Sequence, residues 1–266
     1  GFLGAQLVPV GPPGCLAAIG GLVWLLRSRS LRPLGWAVVT VLVVLASSVS
    51  KPYYFSPAYT ILFPAAGVAI ASWTRGRFGV PLRILAVVLI ATVLVAAPLA
   101  KPLLSEDRYV AYAATLGIGT RGDENHRMGR LPQFFADMHG WREMAEAVAK
   151  VAAALPPEDR ARACVYGQNY GEAGAVDYYR RELDLPPAIS GHNSYWMWGP
   201  GSCTGEVILI IGGRREDHMR HFTSVEPGVV HHAADAMPYE NDLTIWVARG
   251  LTVPVKDVWP GDRHYD

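Results

Sequence analysis

At 266 residues, with 51% apolar side chains and a net charge of +1, the chain has the averages of ordinary folded protein, and the near-neutral total by itself says nothing about partners, among which no nucleic acid is expected. Those averages conceal two chemically different parts: eight of the 24 Lys and Arg residues precede residue 105 with no Asp, Glu or His among them, while the other 16 accompany all 23 acids and all eight histidines. The later part therefore carries a net charge of −7, and the chain, which opens at Gly1 with neither an initiator Met nor a charged leader and cleavage pattern, reads as the C-terminal piece of a longer protein.

In chain order, apolar runs recur at Val8 to Leu26, Leu34 to Val49, Phe55 to Trp73 and Ile84 to Ala100. Each is about long enough to cross a hydrocarbon core, which takes roughly 17 to 25 helical residues. The stretch from Val38 to Leu45 is apolar all round, unlike an amphipathic helix of a soluble core. Residues 1–104 are thus expected to form about four transmembrane helices, with Cys15 in lipid. Three arginines stand between the first two runs (Arg27, Arg29, Arg32) and three between the last two (Arg75, Arg77, Arg83), whereas the intervening turn has only Lys51. By the positive-inside rule the arginine loops are cytoplasmic. The Lys51 turn and everything after residue 101 then lie outside, which predicts a multi-pass protein of a bacterial inner (plasma) membrane with a periplasmic or extracellular C-terminal domain.

Ser50 to Tyr59 leads into the third run with Lys51, Pro52, Tyr53, Tyr54, Pro57 and Tyr59, and Pro64 interrupts it, so a kink or break is expected near the outer interface. Two readings of this segment stand. Tyrosines and a snorkelling lysine are ordinary interface anchors. Equally, an ammonium and phenol hydroxyls at headgroup level can hold a lipid phosphate through charge-assisted hydrogen bonds.

Residues 105–266 are expected to form an external α/β domain. Glu106 to Gly119 reads as a helix beside the membrane, Arg121 to His126 as a polar loop, and Asp137 to Leu155 as an amphipathic helix stopped by Pro156-Pro157. Strands follow at Ala163 to Tyr166, Pro187 to Ser190, Val207 to Ile211, Val229 to His232 and Thr244 to Ala248, with helices at Tyr170 to Arg181 and Glu216 to Phe222. This alternation predicts a mainly parallel sheet covered on both faces, Rossmann-like in layout but without a GxGxxG fingerprint for a dinucleotide.

In such sheets ligands gather beyond the carboxyl ends of the strands, which draws attention to the loops after Tyr166 and Ser190. The first contains Asn169, Tyr170 and Glu172; Asn169 and Glu172 also have the spacing of a helix capping box, reason enough for both. The second, Gly191 to Gly201, contains His192, Asn193, Tyr195, Trp196 and Trp198. Flat aromatic faces beside imidazole and amide groups suit a sugar, and the same residues suit a loop packed on the domain or at the membrane interface. His218 and His221 are spaced i, i+3, but no carboxylate pattern completes a metal set, and adjacent His231 and His232 should point to opposite faces of a strand. Cys164 and Cys203 form no CxxC motif, and each lies beside an expected strand, compatible with a bridge in an oxidising compartment.

The stretch Lys51-Pro-Tyr-Tyr-Phe-Ser-Pro-Ala-Tyr59, with its Pro- and Gly-containing apolar sequel, resembles the K-P-Y-Y-x-x-P-x-Y-P segment of family 39 glycosyltransferases. These GT-C class enzymes include dolichyl-phosphate-mannose protein mannosyltransferases and the bacterial lipid A aminoarabinose transferase. Gln6 with the Pro-rich start, Leu131 to Trp141, Asn169 to Ala175 and Gly191 to Pro200 resemble bacterial members of unassigned substrate, so the likeness covers most of the chain. It implies transfer of a sugar from a polyprenyl-phosphate carrier to an external glycan, lipid or protein acceptor. Lys51, Tyr53, Tyr54 and Tyr59 become candidate contacts to the carrier phosphate, and Thr60 departs from the family's proline. The family's catalytic acid lies in an early external loop, and with no acid before Glu106 no catalytic residue is expected in this piece. A divalent cation, where one is used, is expected to be bound by the upstream half. A membrane-anchored external binding or sensor domain without transferase activity is the alternative.

Overall fold

The computed structural model describes residues 2–48, 50–75, 79–119 and 128–265. It forms two compact units, residues 1–117 and 118–266. Val49, Gly76, Arg77, Phe78 and the polar loop Arg121 to His126 lie outside the described residues.

The first unit contains helices Leu7–Arg27, Arg32–Ser47, Ser56–Trp73 and Gly79–Ala100. They coincide with the four apolar runs. Two stretches, Val10–Arg27 and Pro52–Trp73, are long and apolar enough to cross a membrane, and Arg32–Ser47, at 16 residues, is shorter. Gly11, at φ 65° and ψ 169°, kinks the first helix just before Pro12 and Pro13. Arginines close the helix ends: Arg32 Nε donates to Leu26 O at 2.9 Å, and Arg83 donates to Thr74 O at 3.3 Å. A cation on the last carbonyls of a helix satisfies orphan acceptors and opposes the helix dipole. The expected break in the third segment does not occur, because Pro57 falls in the first helical turn, where no donor is needed, and the helix runs on through Pro64.

Small residues hold this unit together. A Cβ on Gly21 would stand 2.2 Å from Leu62 O and 2.9 Å from Ala66 N, so the first helix meets the third backbone to backbone. Ala18, Ala58, Ala65, Ala66 and Ala69 are buried around that approach. Most large apolar side chains instead face outward, including Leu16, Val43, Val87 and, 70% exposed, Leu94. Helix Glu106–Thr115 belongs to the same unit, and Tyr112 Oη donates to Val95 O at 2.6 Å.

The second unit is built on five strands: β1 Ala163–Tyr166, β2 Ala188–Ile189, β3 Val207–Ile211, β4 Phe222–His231 and β5 Leu243–Leu251. Their order is β2-β1-β3-β5-β4. β1 pairs in parallel with β2 and β3, whereas β5 runs antiparallel to both β3 and β4. The sheet is therefore mixed rather than mainly parallel. The reason lies in the connections: helix Tyr170–Leu183 carries the chain from β1 back to a parallel β2, whereas the chain turns back after β4 and β5 inserts antiparallel between β3 and β4; the helix after β3 spans only Arg215–His218. Phe222, expected at that helix's end, already starts β4.

One sheet face packs Val165, Val207, Leu209 and Ile211 against helices Trp141–Ala154 and Tyr170–Leu183. Gly228 lies where a Cβ would stand 2.7 Å from the Val151 side chain, so its lack of one lets the first of these helices settle onto β4. That helix starts at Trp141, four residues later than expected, because Gly140 at φ 89° turns the chain just before it. The opposite face presents Cys164, Ile189, Ile208, Ile210 and Val225 to short segments only, among them Val255, Trp259 and Trp196. Cys164 and Cys203 are joined by a disulfide, with Cα atoms 5.6 Å apart.

Candidate functional site

In the first unit, chain geometry gathers the Lys51 segment into a single turn. Ser48 ends the second helix in extended backbone, and Pro52–Phe55 forms one 3₁₀ turn that runs directly into the third helix. Gln6 is buried here and spans the turn: its Nε2 donates to Pro52 O at 3.1 Å, while its Oε1 accepts from Tyr59 Oη at 2.9 Å. Tyr59, itself buried and stacked on Phe63, is thereby a fixed post rather than an open ligand group. Tyr53 and Tyr54 are exposed and meet edge to face at 4.9 Å, with Lys51 Nζ 6.0 Å above the Tyr53 ring. Of the four residues singled out, Tyr53 and Tyr54 thus face outward with half-buried Lys51 beside the Tyr53 ring, and Tyr59 anchors the turn.

In the second unit, the loops after β1 and β2 converge. Asn169 caps helix Tyr170–Leu183, its Oδ1 accepting from the N–H groups of Gly171 (2.8 Å) and Glu172 (3.0 Å), and its Nδ2 donates to Glu240 Oε1 at 2.7 Å. Glu172 returns its carboxylate to the N–H groups of Asn169, which completes the capping box, and of Gln168 before it. Glu172 and Glu240 are both buried and adjoin each other. Burial, then the neighbouring Glu240, raises Glu172 well above the usual carboxylate range, and burial pushes Glu240 up to about 7. Among the described residues no N–H or O–H reaches Glu240 Oε2, and the neighbouring Glu172 favours a protonated form of the pair.

The C-terminal segment closes the same end of the sheet. His264 stacks on buried His192 at 4.9 Å, its Nε2 lies 3.0 Å from Gln168 O, and its carbonyl accepts from Asn193 N–H at 3.1 Å. Tyr166 Oη donates to the Asp262 carboxylate at 3.0 Å, and burial raises both groups. A Cβ on Gly191 would stand 2.2 Å from Asp262 O, so only glycine admits the tail. The crevice where open α/β sheets hold ligands is filled here by the chain's own residues 262–264. Beside it, Asn193 holds φ 53° and ψ −129°, an uncommon conformation for a residue with a side chain.

The expected acceptor residues therefore divide. Asn169, Tyr170, Glu172, His192 and Asn193 come together, with the Tyr170 ring 4.9 Å from His192. The loop Gly191 to Gly201 contains a short helix, Ser194–Trp198, which turns the aromatics in different directions. Tyr195 donates to Asp177 at 3.0 Å and meets Trp198 at 4.7 Å. Trp196 instead exchanges indole-to-carbonyl hydrogen bonds with Trp259 (2.9 and 3.1 Å) beneath the Arg263 guanidinium, which is a packing role. Trp198 is exposed. Glu240, Asp262 and His264 escape the sequence reading because nothing in their local pattern distinguishes them.

On the thinly covered face lies a cleft of about 480 Å³, floored by Ile189, Ile208 and Ile210 and walled by Phe222, Leu251, Val255, Val258 and Trp259. Arg214, Asp217, His218 and His221 stand along one side, and Tyr166, Gln168 and Asp262 along another. His218 is fitted against the Gly212-Gly213 turn, where a Cβ on Gly213 would fall 2.6 Å from its ring. His231, the last residue of β4, is buried, and His232 just beyond it is exposed against Asp242 (2.6 Å). Among the described residues no group of three or more His, Cys, Asp or Glu side chains could hold a metal ion. No known family model matches this chain, and neither does any curated protein or solved structure.

Proposed function

We propose that the chain is the C-terminal part of a family 39-like, GT-C class membrane glycosyltransferase that moves a sugar from a polyprenyl-phosphate carrier to an acceptor outside a bacterial inner membrane. The observation that carries this reading is the Lys51 turn. Two exposed phenols and the half-buried ammonium beside them sit on a segment held by the Gln6 bridge to Pro52 and Tyr59. An isoprenoid phosphate reaching the interface would receive charge-assisted hydrogen bonds from such a group without ordering it anew. The apolar outer surface of the first unit suits lipid as its solvent, and the Cys164–Cys203 bridge suits an oxidising, external compartment for the second. In this reading four crossings anchor the protein, the general base and any divalent cation belong to residues upstream, and residues 105–266 recognise the acceptor.

Replacing Lys51 by Ala in the full-length enzyme is expected to lower turnover of polyprenyl-phosphate-linked sugar by about tenfold or more, the worth of one charge-assisted hydrogen bond. Unchanged turnover would remove Lys51 from the site. The cleft in the second unit favours a second reading, a membrane-anchored binding protein without transferase activity. Absence of sugar transfer by the full-length protein across polyprenyl-phosphate donors, with ligand binding retained, would select it.

A further inference from the structure

We infer that the cleft on the thinly covered face of the second unit binds a single aliphatic chain bearing an anionic head group. This deepens the proposed function, from which it takes only the external placement of the unit, by naming a lipid as what that unit holds. The size fits: about 480 Å³ lies within the range of pockets that enclose small ligands.

The lining decides the chemistry. Ile189, Ile208, Ile210, Leu251, Val255 and Val258 are aliphatic and offer no hydrogen bond, so a sugar in contact with them would lose its hydration uncompensated. A hydrocarbon chain loses nothing there. The one hydroxyl in the lining, Tyr166 Oη, is already spent on Asp262, whose carboxyl burial shifts toward its neutral form.

Charge at the mouth then selects the head. Arg214 on the cleft wall meets Asp217 at 2.8 Å, and Arg220, just outside the lining, takes a second bond to Asp217 at 3.5 Å, so two guanidiniums neighbour one carboxylate there, with His218 and His221 on the wall and Asp262 the other carboxyl of the lining. Arg214 is 80% exposed and its planar donor fork can serve a carboxylate or phosphate as well as Asp217. An acyl carboxylate and a prenyl phosphate share this chemistry.

The test uses the full chain in phosphatidylcholine nanodiscs with photoactivatable hexadecanoate, farnesyl phosphate and the uncharged hexadecanol, mapping labelled peptides by mass spectrometry. Both anionic probes are expected to label peptides containing Ile208, Ile210 and Val255 to Trp259, about tenfold more than hexadecanol does. The stronger of the two identifies the source. Val258→Trp should fill the cleft and abolish that labelling while leaving labelling of the Gly79–Ala100 helix unchanged. Arg214→Glu, a surface change, should reduce anionic labelling to the level of the neutral probe. Equal labelling by hexadecanol, or labelling that Val258→Trp leaves intact, would overturn the inference. Labelling is read without sugar transfer, so a failed transferase reading and a failed cleft assignment give separate results.

Discussion

The two units bury opposite things. In the first, small residues go inside and large ones outside: Gly21 meets Leu62 backbone to backbone while Leu94 and Val87 stand exposed. In the second, Val165, Leu209, Ile211 and Val148 are fully enclosed between the sheet and two helices, and charged side chains cover the outside. Where water is the solvent, large apolar groups supply the driving force and belong in the middle; where the surroundings are themselves apolar, close backbone approach is what remains to be gained. The contrast teaches that one chain of near-average composition obeys two packing rules in succession.

Reduction should separate the units most sharply. Cys203→Ser opens a bridge spanning 39 positions, which chain entropy values at about 4 kcal/mol, and the second unit's melting transition should fall accordingly while the helices of the first keep their circular dichroism. A joint loss would mean that the two do not unfold independently. Gly21→Leu reverses the experiment. It drives the first and third helices apart at a cost of about 3 kcal/mol, to be read as protease sensitivity of the first unit alone. If Gly21→Leu is tolerated, the small-residue rule fails for this bundle.

The Glu172–Glu240 pair refines the comparison through pH. Both carboxyls bind protons more tightly folded than exposed, so their contribution is complete in acid and is lost as pH rises through about 7. Between pH 5 and pH 8 the second unit should lose on the order of 2 kcal/mol, and Glu240→Gln should flatten that slope. An equally steep slope in the variant would place the titration elsewhere. The smallest effect is expected from Asn169→Ala, which removes the helix cap and one hydrogen bond to Glu240, about 1–2 kcal/mol in the same melting transition.

Much of the second unit is legible in the sequence where local pattern and tertiary need agree. Ala163 to Tyr166 is a short apolar run and Val207 to Ile211 a largely β-branched one, each stopped by a glycine, and both are strands with those bounds. The direction of β5 is not legible, since it depends on the chain turning back after β4 and inserting between β3 and β4, a pairing that no local pattern announces. The candidate site is half readable for the same reason. Asn169 and Glu172 announce themselves by spacing, but Glu240 arrives from 71 positions away and His264 reaches Gln168 across 96. Trp196, conspicuous in a list of aromatics, turns out to be half of a reciprocal indole bridge with Trp259.

The tail at residues 262–264 acts as a fitted stopper, seated on Gly191 and clasped by Tyr166 and the paired imidazoles. Trimming the chain after Gly261 would bare two glycine-lined loop ends and a phenol at the very position where related sheet architectures receive their ligands. Such a shortened protein is therefore the form in which to search for a gain of affinity.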